Sequence, residues 1–522
     1  MMMLTTCRRL LQVWLIVSLM VSIGWSAVPT TWPGDSVTGP YHSRLFSRPA
    51  THPAGLPAWL LASRPTTASA PASRPAVKRA IPSGPNFILI TVGNQSAGMT
   101  GFEGHPQIKT PNLDRLAGDG LCFQRCYTPT PMSAASMASI LTGRYPHSHG
   151  VVTDKSALAS SSDTFTAQLQ AAGYRCGIVG KWNLPGTTAK APGFGLTDFV
   201  ATQDVDAEGH GWKWEQCPVW VQGEKKTADK FLTDWEADRA IEFIETHKEQ
   251  PFFLWLSFRT NEEPLTRPPG TENEYPPDAM NLPDPKTKTR SDQPPSLQNV
   301  AATKPKNDRE LREAKSKYAA MVSRMDENIG RLAARLDELH LREKTVVIIT
   351  SDGGFALGEH GLYGRGPFIY DVMVRCPLVV RYPKLVPGGG RCARTVSLVD
   401  LAPTICELAG LPRSPMMHGH SLVALLRNPE SNALPDERFI EYDAQDSGRS
   451  ILIRGLVTSQ YKYARYLRQD NNYDVLYHLT HDAEEMNNVA KKPDLARHYA
   501  GVVKVLQNRV EHFRKVTRDQ AR

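Results

Sequence analysis

The chain is 522 residues long, with 41% hydrophobic and 22% charged residues and a formal charge of +8. That length exceeds one compact core, and the composition excludes a mostly disordered protein. The charge is uneven: residues 1–27 carry Arg8 and Arg9 with no acid, and residues 28–85 carry six basic residues against Asp35. Of the +8 in total, +2 and +5 therefore belong to these two segments and +1 is left for residues 86–522. A pI near 9.0 is thus no argument for nucleic-acid binding, and none is expected.

In chain order, the first predicted element is an export signal over residues 1–27. Arg8-Arg9 precede the apolar run Leu10–Gly24, and Gly24 and Ser26 offer small residues at a cleavage site. An uncleaved membrane anchor is the alternative; Gln12 and Gly24 weaken it. Localisation is expected to be periplasmic or extracellular, with no stable membrane anchor once the signal is removed. Residues 28–85 contain eleven prolines and much Ala, Ser and Thr, which predicts a stiff, basic, disordered linker.

From residue 86 the texture changes. NFILITV (86–92), CGIVG (176–180), FFLWLSF (252–258), TVVIIT (345–350) and PLVV (377–380) are short apolar runs that read as strands buried on both faces. Helical patterns lie between them at 163–172, 230–246 and 311–341. In the last, Tyr318, Met321, Val322, Met325, Ile329, Leu332 and Leu336 share one face. This alternation predicts an α/β domain over 86–410, with a mainly parallel sheet sandwiched by helices. Residues 260–309 read as a long proline-rich loop. From 411 to 522, shorter runs at 451–458 and 461–467 and a helix near 494–516 predict a smaller C-terminal α+β subdomain. GGGRC (388–392) reads as a turn. Beyond Cys7 in the signal, seven cysteines remain without a CxxC pair; one disulfide is allowed and zinc has no support.

Ligands of open α/β sheets sit beyond the carboxyl ends of the strands. Those ends are Gly93-Asn94-Gln95, Gly180-Lys181-Trp182-Asn183, Arg259 to Glu262, and Ser351-Asp352-Gly353-Gly354. A fifth segment, 131–150, turns from loop into helix near Ser133. There a hydroxyl meets free backbone N–H groups that favour an anion, although most serines before helices are simple caps.

KTPNLDRLAGDGLCF (109–123), SMASILTGRYPHSHGV (136–151), VGKW (179–182), YAAMVSRMDENIGRL (318–332) and TVVIITSDGGFALGEHGLYGRG (345–366) together resemble the sulfatases of the alkaline-phosphatase superfamily. The resemblance runs from about Pro85 to Val489 and implies the alkaline-phosphatase-like sulfatase fold and sulfuric ester hydrolysis. It also implies a calcium ion held by two consecutive aspartates after the first strand and an Asp-Asn pair after a later one, and a formylglycine nucleophile made from Cys or Ser in a C/S-x-P/A-x-R signature. Transferred residue by residue, it assigns Ser133, Lys181 and Arg365 to catalytic positions, Arg259 and Asn183 to substrate binding, and Asp352 and Asn94 to the metal.

The chain departs from that pattern at several of these positions. Gly93-Asn94 stand for the aspartate pair and Asp352-Gly353 for Asp-Asn, so one carboxylate of three is expected. That is too few for a cation that takes six to eight oxygens, and a turn-capping role for Asp352 is equally consistent. Restoring the family's residues, by Gly93→Asp and Asn94→Asp with Gly353→Asn, is expected to rebuild calcium affinity. Met137 replaces the signature arginine, which argues against formylglycine at Ser133. Asn183 stands for a histidine, and Glu262 puts an anion where a cation or neutral donor belongs. The reading is a pseudo-sulfatase that binds a sulfated glycan or small sulfate ester. The alternative is an active sulfatase with Ser133 as nucleophile, modified or not; phosphoester chemistry is a weaker third.

Overall fold

The computed structural model describes residues 84–153, 155–159, 163–184, 194–202, 212–284, 297, 307–446, 449–467 and 472–520. The expected signal and, apart from Gly84 and Pro85, the expected linker lie outside the described residues.

The apolar runs are strands, and their alternation explains the layers. In β1 (Asn86–Val92), Phe87 and Leu89 join one core cluster while Ile88, Ile90 and Val92 join another on the opposite face. Phe253 and Trp255 of the 252–258 run go with the first, and Leu254, Leu256 and Phe258 with the second. Both faces must therefore be covered. One is covered by helices that include α2 (Ser133–Thr142), the other by helices that include α1 (Pro111–Gly118) and a 31-residue helix, Asp308–Glu338. The seven-residue face expected along that long helix is buried throughout.

Eleven strands form the main sheet. After β1 come β2 (Leu121–Tyr127), β3 (Arg175–Lys181), β4 (Asp198–Thr202), β5 (Pro218–Val221), β6 (Glu224–Thr227), β7 (Phe252–Phe258) and β8 (Thr345–Ser351). A two-stranded hairpin, β9 (Ala356–Leu357) and β10 (Tyr363–Gly364), precedes β11 (Arg375–Cys376), β12 (Leu378–Arg381) and β13 (Gly390–Ser397). The central order β8-β1-β7-β3-β4 is parallel throughout. The 377–380 run, by contrast, forms β12, antiparallel to both β2 and β8.

One strand lies outside the expected set, and one expected turn needs correction. LCFQRCY forms β2, whose exposed Gln124 and half-buried Arg125 interrupt the apolar run that marks the other strands. GGGRC is more than a turn: Gly388 and Gly389 take positive φ, but Gly390 begins β13 beside β2. The seven described cysteines are all free and buried, so no disulfide joins them.

The C-terminal part is an antiparallel four-stranded sheet of β14 (Glu437–Asp446), β15 (Arg449–Thr458), β16 (Tyr461–Leu467) and β17 (Tyr473–His478), with a helix over Pro493–Thr517. It is the expected α+β subdomain. It shares a core with the preceding segment through Phe368, Ile369, Tyr370, Met373 and Val374.

Candidate functional site

Register builds the site. Val92 of β1 lies opposite Phe258 of β7 and Ser351 of β8, and Gly180 of β3 lies opposite Ser257. The residues that follow, Gly93, Arg259, Asp352 and Lys181, therefore emerge side by side at one sheet edge. The amino end of α2 delivers Ser133 to the same place. The helix is capped by Met132 without a side-chain hydrogen bond, so Ser133 is not the N-cap expected of it. Its Oγ instead accepts from Lys181 Nζ at 3.2 Å and from Arg365 Nη1, cations that also face Asp352.

Lys181, 1% exposed, is the hub. Its ammonium also donates to Asp352 Oδ2 at 2.8 Å and to Glu262 Oε1. Burial opposes its charge, but Asp352 and Glu262 outweigh burial and raise its pKa. Burial would likewise raise Asp352, yet Lys181 and Arg365 hold it below the usual carboxylate range. Arg365 Nη1 lies 3.8 Å from Asp352 Oδ1 and is the most exposed of these cations at 22%.

Arg259 is not a free ligand-binding cation as expected. It is fully buried, paired with Glu262 at 2.8 Å, and bonded to the Thr202 hydroxyl at 3.2 Å and carbonyl at 3.3 Å. Its guanidinium lies 5.0 Å from the ring centre of Trp212, and it reaches Asn183 Oδ1 only at 3.5 Å. Arg259 positions Glu262, and Asn183 stands at the edge of the network. Glu236, overlooked in the sequence, accepts from the Arg259 backbone N–H at 3.4 Å, and burial pushes it up to about 8 despite Arg259. A lone glutamate inside the apolar helix face Trp235–Ala240 is the signal that marks it. With Glu236 protonated at neutral pH, Lys181, Arg259 and Arg365 face Asp352 and Glu262, which leaves one net positive charge.

At the family's metal positions one carboxylate remains, and the structure brings a second from elsewhere. Glu262 enters the site beside Gly93, so two carboxylates are present. A Cβ added at Gly93 would lie 3.1 Å from both Glu262 Cγ and Oε1, and one at Gly353 would fall on Arg365 Nη2. Gly93→Asp therefore requires Glu262 to shift, and Gly353→Asn requires Arg365 to move and a side chain to take a φ of 150°. Asn94 takes a left-handed φ of 54°, accepts from Tyr318 Oη through its carbonyl at 2.8 Å and donates to the Asn261 carbonyl at 3.1 Å. Asn94 Oδ1, Asn261 Oδ1 and Asp352 Oδ1 are buried without a hydrogen bond. Two amide oxygens and one carboxylate oxygen are a poor donor set for calcium, whose affinity follows ligand charge and number. The remaining oxygen of Asp352 and Oε1 of Glu262 are engaged by Lys181. The residues present do not fit the family's metal. Met137, where the signature arginine would stand, is 2% exposed and packed in the core, so α2 brings no further cation.

His147, Glu441 and Asp519 lie close enough together to suggest a second cation site. Arg454 is already their counter-charge, 2.6 Å from Asp519 and 3.8 Å from Glu441, and His147 is bonded to Glu441 at 2.6 Å.

The sulfatase family model matches residues 85–411, and the model for the C-terminal part of N-sulphoglucosamine sulphohydrolase matches 358–516. The chain is 26% identical over 501 residues to an N-acetylglucosamine-6-O-sulfatase of Bacteroides thetaiotaomicron, covering 82% of this chain and 87% of that one. It is 28% identical to an uncharacterized sulfatase of Escherichia coli, covering 78% and 83%. A solved structure in complex with its substrate D-glucosamine-2-N,6-O-disulfate superposes with a TM-score of 0.70 at 25% identity, covering 84% of this chain and 99% of that chain. A phosphonate monoester hydrolase of Agrobacterium radiobacter shares the fold, with a TM-score of 0.66 at 22% identity over 83% of this chain and 96% of that chain. With its fold, its strand-end site and the matching model over most of its length, the chain belongs to the sulfatase family.

Proposed function

We propose that this exported sulfatase-family protein binds the sulfate group of a sulfated glycan without turning it over. The carrying observation is the setting of Ser133. Its Oγ accepts from two cations, and the carboxylate that shares those cations, Asp352, is held acidic by them. A nucleophilic serine needs a base of pKa near the working pH, and a depressed carboxylate is a weak one. An unmodified serine also lacks the aldehyde-hydrate route for releasing bound sulfate, and Met137 removes the arginine that the modification signature requires. The same cations, at the amino end of α2, suit an oxyanion. The names of an N-acetylglucosamine-6-O-sulfatase relative and of a neighbour bound to D-glucosamine-2-N,6-O-disulfate support a sulfated amino sugar as the ligand class.

One observation favours the alternative, an active sulfuric ester hydrolase. Two cations on Ser133 Oγ are also a setting that stabilises an alkoxide. The deciding experiment is a mass spectrum of the Ser133 peptide from protein made in its own host, together with aryl-sulfate turnover. An intact hydroxyl, no turnover, and calorimetric binding of a 6-O-sulfated glucosamine support binding alone. Formylglycine at 133 with turnover lost in Ser133→Ala supports the hydrolase.

Export remains part of the proposal. The mature protein is expected to begin near Ala27 in a periplasmic or culture fraction; recovery in the cytoplasm with residues 1–27 intact would refute it. Binding that vanishes when residues 28–85 are deleted would assign it to the basic linker instead of the cleft.

A further inference from the structure

We infer that Glu262 is a relocated carboxylate, and that with Lys181 it forms a fixed ion pair in the space where the family holds its divalent cation. The strand-end site is then a metal-independent site for a singly charged oxyanion ester. This rests on the sulfate-binding reading for the identity of the ligand, but not for the claim about the metal.

The argument is one of volume and charge. Two positions that should carry ligand side chains, 93 and 353, are glycines. Random loss would leave holes at both. Instead each vacated space is filled by a charged group from another element: Glu262 from the loop after β7 at Gly93, and Arg365 from the segment after β10 at Gly353. The φ of 150° at Gly353 is one that L side chains rarely adopt, so the backbone has settled into the exchange there. Glu262 is in turn gripped on both oxygens, Oε1 by Lys181 and Oε2 by Arg259 at 2.8 Å. Lys181 then bridges Glu262, Asp352 and Ser133. A divalent ion entering here must displace a buried ammonium or stand beside it. Neither carboxylate has charge to spare, because both are neutralised within the network.

The two positions are therefore in contact: a side chain at 93 presses on Glu262 at 3.1 Å, and its fate depends on what stands at 262.

The test is a double-mutant cycle on the full chain, read by thermal unfolding with and without millimolar calcium, and by calorimetry with a 6-O-sulfated glucosamine in EDTA. The wild type is expected to unfold at the same temperature in calcium and in EDTA, and to bind the sugar equally in both. Gly93→Asp alone is expected to lower the midpoint by several degrees and to weaken sugar binding at least tenfold, through its contact with Glu262. Glu262→Ala alone is also expected to lower the midpoint. Gly93→Asp with Glu262→Ala is expected to recover much of both losses and to gain a calcium-dependent rise in midpoint. Should Gly93→Asp fail to fold, Gly93→Ala reads the same clash with less bulk and must likewise be rescued by Glu262→Ala. Additive losses without rescue, or a calcium-dependent midpoint in the wild type, overturn the inference. Loss of sugar binding in every condition, with the midpoints behaving as expected, overturns only the glycan reading.

Discussion

Lys181→Met removes the hub of the buried network while keeping its length and most of its volume. In the wild type its ammonium neutralises Asp352 and Glu262, whose side chains are 5% and 13% exposed. The variant leaves Asp352 with Arg365 at 3.8 Å and Glu262 with Arg259 at 2.8 Å, so each carboxylate keeps one weaker or shared partner. Breaking a buried pair from one side costs about 3–5 kcal/mol, and the surviving partners place this case at the lower end, about 3 kcal/mol. An unfolding entropy of about 2.1 cal/mol/K per residue, over a folded body from Gly84 to Gln520, converts that into a fall of roughly 3 °C. The loss must depend on pH in a defined sense. Asp352 is depressed in the wild type, so its contribution is present above the ordinary carboxylate pKa and lost as pH falls through its lower folded value. Without Lys181, burial raises Asp352, and the variant sheds its penalty by protonating it as pH falls toward the ordinary carboxylate range. Differential scanning fluorimetry from pH 8 to 5 should show the gap between variant and wild type narrowing. A constant gap, or a loss below 1 °C at pH 7.5, would refute the assignment of Lys181 as the neutralising cation. Asp352→Asn in the Lys181→Met background should restore much of the loss, because it removes the carboxylate left without a close partner while Glu262 keeps Arg259 at 2.8 Å.

Glu236→Gln should stabilise the protein above neutral pH. Its folded pKa near 8 lies above the ordinary value of 4.5, so wild-type stability falls as pH rises between those two values. The glutamine variant lacks that fall and should lead by an amount on the order of 3 kcal/mol at pH 7.5, and by nothing at pH 4.5; thermal unfolding reads both. Arg365→Ala should weaken sulfated-sugar binding by about 10- to 100-fold, the range of one charge-assisted hydrogen bond, in calorimetry at low salt. Ser133→Ala should change that binding less than about threefold, since the hydroxyl presents no charge to the ligand. Equal losses in the two variants would show that the serine itself holds the anion.

The fold was legible because its strands are nearly uninterrupted apolar runs, and the order of those runs with their helices is characteristic. β2 was less so, because Gln124 and Arg125 break its pattern. The site was legible as a set of positions but not as an arrangement. Strand ends pointed to Asn94, Lys181, Arg259 and Asp352, and the register places these residues or their immediate neighbours side by side. What no one-dimensional reading gave was volume. Gly93 and Gly353 read as losses until the structure put Glu262 and Arg365 into the space beside them. Glu262 read as a misplaced anion for the same reason: its partners Lys181 and Arg259 come from other points in the chain, 81 and 3 residues away. Arg259 looked available because sequence carries no burial, and its enclosure by Glu262, Thr202 and Trp212 depends on three separate elements.

A net charge of one also makes a prediction about which ester enters. A sulfate monoester carries one negative charge at all ordinary pH values, whereas a phosphate monoester gains a second with a pKa near 6. The first charge is matched by the uncompensated cation of the network. The second must be placed against Asp352 and Glu262 without a cation to screen it, since Lys181 and Arg259 are already paired. A divalent metal would reverse this balance by adding two positive charges. Glucosamine 6-sulfate should therefore bind at least tenfold tighter than glucosamine 6-phosphate at pH 7.5, and the preference should shrink toward pH 5 as the phosphate becomes a monoanion. Calorimetry at both pH values in EDTA measures the ratio. Equal affinities at pH 7.5, or a preference that grows with acidification, would mean that a further positive charge acts in the pocket, and the charge count that excludes the metal would fail with it.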